Sequence, residues 1–402
     1  MKDTPSGSRI HIALFGRKNA GKSSLINALT NQKIALVSPI GGTTTDPVYK
    51  AMEILPIGPV MLIDTAGIDD DGQLGTMRVE KTLEVLDKTD IALLVVDPFQ
   101  GFGYYEDKII KLCTEKSITI LIVFTKSDLV TKERKDKLKK IYEDKYNHPY
   151  FWVNSPTKEG IKVLTEKLGQ SKQNEDLPLS IVGDLLMTGD LVILVTPIDS
   201  SAPKGRLILP QVQTIRDILD HHCLSIVCRE QELTTALESL KEPPKLIVTD
   251  SQVFHKVAQD TPAHIPLTSF SILMARFKGD LKILAQGAKT IDNLKPNDKV
   301  LIAEACTHHQ QADDIGKVKI PRLLQKKIGG ELSIDFSNGF SFPSNLDEYK
   351  LVVHCGGCML NRKNMLNRIN AVEKVRVPIT NYGVLIAHIH GILPRALAPF
   401  GI

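Results

Sequence analysis

Residues 10–29 read IHIALFGRKNAGKSSLINAL, and this stretch decides the fold of the amino-terminal part of the chain. The apolar run 10–15 predicts a strand, GRKNAGKS follows at 16–23, and residues 24–29 predict a helix. G-x-x-x-x-G-K-S between a strand and a helix is a P-loop, whose main-chain N–H groups wrap phosphates. Lys22 is expected to reach the β- and γ-phosphates, and the Ser23 hydroxyl is expected to ligate Mg²⁺.

Two further segments, each at the end of a predicted strand, complete a nucleotide site. Asp64 follows the apolar run 60–63 in the sequence DTAG, where its carboxylate can hold Mg²⁺ through water. TKSD at 125–128 follows the apolar run 118–124, and Asp128 there can accept hydrogen bonds from both N1–H and the 2-amino group of guanine. The sequence therefore predicts GTP, and not ATP, as the nucleotide.

This part of the chain resembles the translation-factor-type small GTPases, and within them the Era/TrmE-like branch. The resemblance is carried by GRKNAGKS, GGTTTDP, DTAG and TKSD and, more weakly, by Asn154-Ser155-Pro156. It implies that Thr44 ligates Mg²⁺ and that Asn19 helps to hold a K⁺ ion beside the phosphates. For Asn19 the alternative is a loop residue that tolerates a tight turn.

The same resemblance implies a set of nucleotide-contacting residues, of which Asn19, Lys22, Thr44, Asp64 and Gly67 are expected to take part in hydrolysis. The full set is Gly16, Asn19, Ala20, Gly21, Lys22, Ser23, Ser24, Thr44, Asp64, Gly67, Thr125, Lys126, Asp128, Ser155 and Pro156.

Two departures from the family pattern matter. Ile68 follows Gly67, so the glutamine that orients water in Ras-like enzymes is absent, and slow unassisted hydrolysis is expected. Thr125 stands where asparagine is usual, and Ser155-Pro156 stands where Ser-Ala is usual. The guanine contacts at these positions are therefore less well defined than the phosphate contacts.

Three of the six cysteines gather in two segments of the carboxyl-terminal third. Cys306-Thr307-His308 follows the apolar run 300–305, and His354-Cys355-Gly356-Gly357-Cys358 follows the apolar run 351–353. Ligands collect at the carboxyl ends of strands in an open α/β sheet, so we expect both segments to meet around one metal centre. Thiolates bind both zinc and iron–sulfur clusters, and on spacing alone a Cys₃His zinc site remains a competitor.

The rest of the chain predicts two more α/β domains. Beyond a polar linker at 171–178, strands at 191–195, 224–227 and 246–248 alternate with amphipathic segments at 211–220, 231–240 and 251–258. Further strands are predicted at 300–305, 332–336, 351–353 and 384–387, and helices at Pro321 and after Cys358. His221-His222-Cys223 and Cys228 could suggest a metal, but a packed cysteine at a strand end and helix-end histidines are favoured. The middle domain, lacking evident chemistry, is a plausible place for self-association.

The fold class predicted is thus α/β with three domains. These are a P-loop GTPase domain (1–172), a parallel α/β dimerisation domain (178–267) and an α/β iron–sulfur cluster-binding domain (268–402). C-x-H, a long gap and H-C-x-x-C behind a TrmE-like GTPase resemble the [FeFe]-hydrogenase maturation GTPases, the HydF family, over essentially the whole chain.

That resemblance implies a [4Fe–4S] cluster on Cys306, Cys355 and Cys358. His308 and His354 are candidates for the fourth place, or merely hydrogen-bond the site. It implies a scaffold that receives the di-iron precursor of the hydrogenase active site from two radical-SAM maturases and delivers it to the apo-hydrogenase. It further implies a homodimer joined through the middle domain. Three cysteines leave one iron with a replaceable ligand, to which an incoming fragment could bridge.

Composition limits the partners, the compartment and the alternative functions that the sequence allows. A net charge of +4 on 50 basic and 46 acidic residues is too balanced to imply nucleic acid or a membrane surface as the main partner. The lysine-rich run 131–145 is interpreted as a solvated helix face, and 377–394 as a buried strand and turn. Six cysteines without a leader segment favour the reducing cytoplasm. The alternative function is an Era/TrmE-like GTPase of RNA modification or ribosome assembly with a structural zinc, and a redox enzyme is disfavoured because no second cofactor motif is present.

Overall fold

The strand that leads into the P-loop lies inside a six-stranded sheet. The computed structural model describes residues 4–30, 46–65, 81–173, 180–198, 207–305, 314–339, 343, 345–357 and 360–402. These form two compact units, Met1–Pro178 and Leu179–Ile402. The strands of the first unit are β1 (Ile10–Phe15), β2 (Val48–Ile54), β3 (Gly58–Asp64), β4 (Ile91–Val96), β5 (Thr119–Phe124) and β6 (Tyr150–Trp152).

The sheet of the first unit has the order β2-β3-β1-β4-β5-β6, and only β2 runs antiparallel to its neighbour. Its named helices are α1 (Lys22–Thr30), α2 (Tyr104–Glu115), α3 (Lys132–Lys145) and α4 (Ile161–Gln173), and a further helical segment spans 81–86. Alternate residues of β1 enter the cores on opposite faces of the sheet, Ile12 and Leu14 on one face and Ala13 and Phe15 on the other. Both faces are therefore covered, as a mainly parallel sheet requires.

Two predictions about helical segments of this unit can be compared with the structure. The lysine-rich run forms α3, which buries only Leu138 and Tyr142 and otherwise presents its charges to solvent. The polar linker predicted at 171–178 begins too early, because α4 continues to Gln173.

The second unit holds two four-stranded sheets, both wholly parallel. The first has the order β10-β9-β7-β8, from β7 (Leu191–Val195), β8 (Leu224–Cys228), β9 (Leu246–Thr249) and β10 (Leu267–Ser269). The second has the order β12-β11-β13-β14, from β11 (Lys299–Glu304), β12 (Ser333–Asn338), β13 (Leu351–His354) and β14 (Ile379–Asn381). The helices are α5 (Leu209–Asp220), α6 (Leu233–Glu238), α7 (Phe254–Asp260), α8 (Phe270–Lys278), α9 (Leu281–Lys289), α10 (Ile320–Ile328), α11 (Arg362–Lys374), α12 (Tyr382–Ile389) and α13 (Leu393–Leu397).

The two sheets of the second unit share one hydrophobic core. Ile193 of β7 and Ile302 of β11 belong to the same continuous cluster of buried side chains. Helix α8 joins this cluster through Ile272 and Ala275, while its Leu273 packs into a separate cluster beside the first sheet. The boundary predicted between 267 and 268 stays a prediction, since residues 179–402 form one compact unit.

One predicted strand is wrong. Residues 384–387 lie in helix α12, and the fourth strand of that sheet is β14, immediately before it. The Asn381 side chain caps the helix by accepting a hydrogen bond from the Val384 N–H at 2.9 Å. Because most of α12 is buried, its sequence lacks the polar face that distinguishes a helix from a buried strand. Among the described helices, none has the length and apolar character needed to cross a membrane.

Candidate functional site

The P-loop joins β1 to α1, and its first glycine is fixed by a close backbone approach. A Cβ atom on Gly16 would lie 2.4 Å from the carbonyl oxygen of Val95, so no larger residue fits. Lys22 opens α1, and its Nζ donates to the carbonyl oxygens of Gly16 at 2.7 Å and Arg17 at 2.9 Å. The ammonium is thus held against the loop, where the amino-terminal end of α1 also favours an anion. A phosphate at this place would meet both the charge and the helix end.

A hydroxyl and a carboxylate lie side by side next to the P-loop. The register of β1 and β3 pairs Leu14 with Asp64, and the Ser23 hydroxyl donates to Asp64 Oδ2 at 3.3 Å. Burial raises the pKa of Asp64, an effect that the charge of Lys22 and the hydrogen bond from Ser23 oppose. Asp64 Oδ1 is buried and has no hydrogen-bond partner among the described residues. The Ser23 hydroxyl and the Asp64 carboxylate, including its unpaired Oδ1, fit the ligands of a Mg²⁺ ion with its bound water.

The TKSD segment is tied to the P-loop by a buried threonine. The Thr125 hydroxyl donates to the carbonyl oxygen of Ala20 at 2.7 Å, and the Thr125 side chain is 2 % exposed. Gly21, with φ +96°, brings the loop so close that its Cβ position lies 3.3 Å from Thr125. Thr125, which stands where asparagine is usual in the family, therefore joins the P-loop to the TKSD segment. A guanine nucleotide must contact both of these loops.

Lys126 and Asp128, two other residues of the TKSD segment, differ in their surroundings. Lys126 adopts a left-handed backbone, with φ 53°, and its Nζ pairs with the buried Asp97 carboxylate at 2.7 Å. Asp128 is exposed at the following 3₁₀ turn. The lysine stiffens the loop, and the aspartate is presented to solvent at the place predicted for guanine.

Asn19 also has a left-handed backbone, with φ 61°. Asparagine tolerates this conformation better than most residues, so backbone geometry alone accounts for its identity. A role of its side chain towards K⁺ stays a prediction.

The remaining predicted nucleotide contacts lie on separate segments. Ser155 is half-buried and Pro156 exposed in the turn after β6, where Asn154 is buried and bridges to Glu159. Ser24 is exposed in the first turn of α1. Thr44 and Gly67 lie outside the described residues.

The second candidate site lies where β11 and β13 end. These strands pair in parallel, with Ala303 opposite His354, and the Cys355 N–H donates to the Ala303 carbonyl oxygen at 2.9 Å. The Cys355 sulfur accepts N–H hydrogen bonds from Ala305 at 3.2 Å and Gly357 at 3.4 Å. Main-chain N–H groups directed at sulfur stabilise an anionic, cluster-ligating thiolate. The described part of the site therefore suits a thiolate at Cys355, which both an iron–sulfur cluster and a zinc ion require.

Only one of the two glycines of the H-C-G-G-C segment is required by its geometry. Gly357 has φ +60°, and a Cβ atom on it would lie 2.4 Å from Met365 Cε. Among the described residues, none apart from its chain neighbours lies within 4 Å of the Cβ position of Gly356. The turn after Cys355 therefore depends on Gly357.

His354 is fully buried, and hydrogen bonds engage both of its ring nitrogens. Nδ1 lies 2.7 Å from the Cys355 carbonyl oxygen, and Nε2 lies 2.8 Å from Nη1 of Arg368. A guanidinium can only donate, so Nε2 accepts and Nδ1–H donates. The guanidinium is itself buried and also donates through Nη2 to the Gly339 carbonyl oxygen at 2.7 Å. This geometry favours the alternative that His354 supports the site by hydrogen bonding.

Sequence reasoning missed a carboxyl next to this site. Glu304 ends β11, and Tyr382 Oη donates to its Oε1 at 3.1 Å. Burial, followed by the charge of Asp314, raises the pKa of Glu304. In the sequence Glu304 looks like the polar end of a strand, so no motif marks it. Arg368, fourteen residues after His354, was missed because no sequence motif marks it either.

The five predicted cluster ligands are only partly described. Cys355 and His354 are placed as above, whereas Cys306, His308 and Cys358 lie outside the described residues. Among the described residues, no three His, Cys, Asp or Glu side chains come together in a group that could hold a metal ion.

The other cysteines belong to packed structure. Cys113 is buried within α2, and burial raises its pKa to about 12. Cys223 is buried after α5, and Cys228 ends β8, as the sequence predicted. His221 caps the carboxyl end of α5, and its Nδ1 lies 2.7 Å from the Asp217 carbonyl oxygen.

Comparison with known proteins assigns families to most of the chain. Residues 11–126 match the 50S ribosome-binding GTPase family. Residues 181–279 match the hydrogen maturase F dimerization domain, and residues 282–399 match the hydrogen maturase F tetramerization domain.

Curated relatives match the first part of the chain. GTPase Der of Wolinella succinogenes is 34 % identical over 188 residues, which cover 45 % of this chain and 40 % of that protein. GTPase Der of Thermotoga neapolitana is 37 % identical over 155 residues, which cover 37 % of this chain and 34 % of that protein. The chain thus spans less than half the length of these relatives. Among solved structures, an Era variant from Aquifex aeolicus bound to GDP and AlF₄⁻ is 15 % identical, with 82 % of this chain and 92 % of that chain covered and a TM-score of 0.36.

Fold, P-loop geometry and family matches together define an α/β protein with a P-loop GTPase domain followed by two oligomerisation modules, which confirms the predicted fold class. The two modules that follow the GTPase domain are those of hydrogen maturase F. The chain belongs to the hydrogen maturase F family, and the predicted family is confirmed.

Proposed function

We propose that this protein is a GTP-hydrolysing [4Fe–4S] scaffold that assembles and delivers the di-iron precursor of the [FeFe]-hydrogenase active site. The observation that carries the proposal is the Cys355 sulfur, which accepts two main-chain N–H groups where β11 and β13 end, within a hydrogen maturase F module. When bound, a cluster held by three thiolates supplies an iron with a replaceable ligand, to which the di-iron fragment can attach.

The GTPase domain supplies the conformational signal in this proposal. Lys22 neutralises the β- and γ-phosphates, while Ser23 and Asp64 hold Mg²⁺, the latter through water. Asp128 selects guanine. Asn19 helps to hold K⁺, whose charge takes the place of an arginine finger, and hydrolysis changes the affinity of the carrier for its partners.

Self-association is proposed to occur through the first sheet of the second unit. Among the described residues β8 pairs only with β7, and it exposes Leu224 at 60 % and Val227 at 44 %. An apolar edge strand is a template for pairing with another chain. We propose that two copies join their β8 strands across a two-fold axis.

Lysine substitution at the edge tests this dimer. Val227→Lys is expected to convert the dimer to a monomer, because a charge would be buried in the new strand pair. Leu129→Lys is the matched control, since Leu129 is an exposed apolar residue of the GTPase domain. Sedimentation equilibrium measures both, and a Val227→Lys dimer as tight as the wild type contradicts the proposed interface.

The partners proposed are two radical-SAM maturases, which load the precursor, and the apo-hydrogenase, which receives it. The balanced charge of the chain supports protein partners in the reducing cytoplasm over nucleic acid.

Metal analysis of anaerobically purified protein tests the scaffold function. Iron with sulfide is expected, and Cys306→Ser, Cys355→Ser and Cys358→Ser are each expected to lose most of the iron. Cys113→Ser and Cys223→Ser are the controls and are expected to retain it.

Two results would contradict the proposal. Zinc alone in the wild type would favour a GTPase of RNA modification or ribosome assembly with a structural zinc. Iron retained in all three ligand variants would place the cluster elsewhere. His308→Ala is expected to keep the cluster with an altered spectrum, since a fourth position can be refilled by water. His354→Ala is expected to keep the cluster with an altered spectrum because it removes a hydrogen-bonding support of the site.

A further inference from the structure

A buried lysine lies behind the H-C-G-G-C segment. Lys278 is the last residue of α8, and only 3 % of it is exposed. Its Nζ donates to the carbonyl oxygens of Gly357 at 3.1 Å and Leu360 at 2.9 Å. Burying an ammonium is costly, and its hydrogen bonds to carbonyl oxygens offset part of that cost.

In the sequence, the two residues whose carbonyl oxygens accept from Lys278, Gly357 and Leu360, precede and follow Cys358. Gly357 connects the lysine to the other cysteine, because its carbonyl oxygen accepts from Lys278 while its N–H donates to the Cys355 sulfur. A single residue thus joins the ammonium to a predicted cluster ligand through two hydrogen bonds.

A second cation, on α11, bonds back to the end of α8. Arg362, the first residue of α11, donates through Nη1 to the carbonyl oxygens of Phe277 at 2.7 Å, Gly279 at 3.2 Å and Arg276 at 3.3 Å. These carbonyl groups end α8, where a cation is favoured. Lys278 of α8 therefore bonds the backbone just before α11, and Arg362 of α11 bonds the backbone at the end of α8. The two segments hold each other in place.

We infer that Lys278 is a positioning residue for the cluster, which holds Gly357 and Leu360, and Cys355 through Gly357, and supplies a buried positive charge next to them. The inference rests on the proposed function, and it extends it by assigning to α8 a part in setting the properties of the cluster. A cluster with thiolate ligands is anionic and gains negative charge on reduction. A fixed cation in a poorly solvated place favours the reduced form.

Three variants separate the positioning effect of the Lys278 hydrogen bonds from the effect of its charge. Lys278→Met removes both the hydrogen bonds and the charge, Lys278→Gln keeps a donor without the charge, and Lys278→Arg keeps the charge. Lys282→Met is the matched control, because Lys282 is an exposed lysine at the start of the next helix.

The first measurement is hydrogen exchange of residues 355–360 in the metal-free protein, which does not depend on iron binding. Lys278→Met is expected to exchange about tenfold faster there than wild type, because the loop loses two hydrogen bonds to a charged donor. Lys282→Met is expected to match wild type. Equal exchange in Lys278→Met and wild type would overturn the positioning role, even if the wild type proved to bind no iron and the proposed function failed.

The second measurement is a redox titration of the reconstituted cluster, followed by electron paramagnetic resonance. In Lys278→Met and Lys278→Gln the ratio of reduced to oxidised cluster at fixed potential is expected to fall about tenfold, a lowering of about 59 mV. Lys278→Arg is expected to titrate like wild type. Unshifted titrations of the uncharged variants would overturn the electrostatic role, and Lys278→Gln decides it if Lys278→Met does not fold.

Discussion

The hydrogen bond between Thr125 and Ala20 makes a sharp prediction about nucleotide affinity. Thr125→Val keeps the shape and β-branching of the side chain but removes the hydroxyl that donates to the Ala20 carbonyl oxygen at 2.7 Å. The carbonyl group is then left without this donor in a buried place. The P-loop and the TKSD segment lose the bond that holds them in register.

The magnitude follows from the burial of the bond. Leaving a buried polar group unsatisfied costs about 1–3 kcal/mol. Part of this cost falls on the stability of the empty domain, and the rest on nucleotide binding, which needs both loops in place. We therefore expect affinity for GDP and for a non-hydrolysable GTP analogue to weaken about tenfold, which corresponds to about 1.4 kcal/mol.

Titration with fluorescent nucleotides measures this affinity, and chemical denaturation measures the free energy of unfolding. Thr114→Val is the matched control, because the Thr114 hydroxyl also donates to a backbone carbonyl, that of Ile110 at 2.9 Å, but within α2. Thr125→Asn, which restores the residue usual in the family, is expected to bind close to wild type. If Thr125→Val loses stability but keeps its affinity, Thr125 serves packing alone and the reasoning is refuted.

Other expectations follow from the site and from one buried histidine. Asp128→Asn is expected to shift preference from guanine to xanthine nucleotides, because an amide donates where the carboxylate only accepts; competition between GTP and XTP measures this. Hydrolysis is expected to be faster in K⁺ than in Na⁺, and Asn19→Gly, which retains the left-handed backbone, is expected to abolish the difference in phosphate release. Lys22→Ala is expected to abolish hydrolysis and leave the iron content unchanged, and loss of iron would contradict the separation of the two sites. Burial lowers the pKa of His11 from 6.5 to about 4, so the neutral ring stabilises the folded state above pH 6.5 and this stability is lost as the pH falls towards 4. By pH 5 the loss is about 2 kcal/mol at 1.36 kcal/mol per unit, and His11→Gln is expected to remove that part of the pH dependence of unfolding.

The nucleotide site could be predicted from sequence because its chemistry is local. Gly16, Lys22 and Ser23 lie within one uninterrupted motif, and Asp64 and Asp128 each follow a strong apolar run. Parallel strands bring the ends of such runs to one edge of the sheet, so order along the chain is enough to place them together.

The surroundings of the second candidate site could not be predicted in this way. Arg368 and Lys278 reach the H-C-G-G-C segment from α11 and α8, and their positions depend on how these helices pack. In the sequence both look like ordinary charged residues of amphipathic helices. The strand predicted at 384–387 failed for a related reason, since a short run that is apolar on all sides does not reveal its period.

The continuous core shared by the two sheets of the second unit has a mechanical consequence. Among the described residues of 179–402, one cluster of buried side chains extends from the first sheet to the second, although two separate family models match this part of the chain. The modules are thus expected to unfold in one cooperative step. If the proposed dimer forms at β8, a displacement of that edge strand is expected to pass through these packed side chains to the ends of β11 and β13, so Cys355 and the proposed subunit contact are expected to move together.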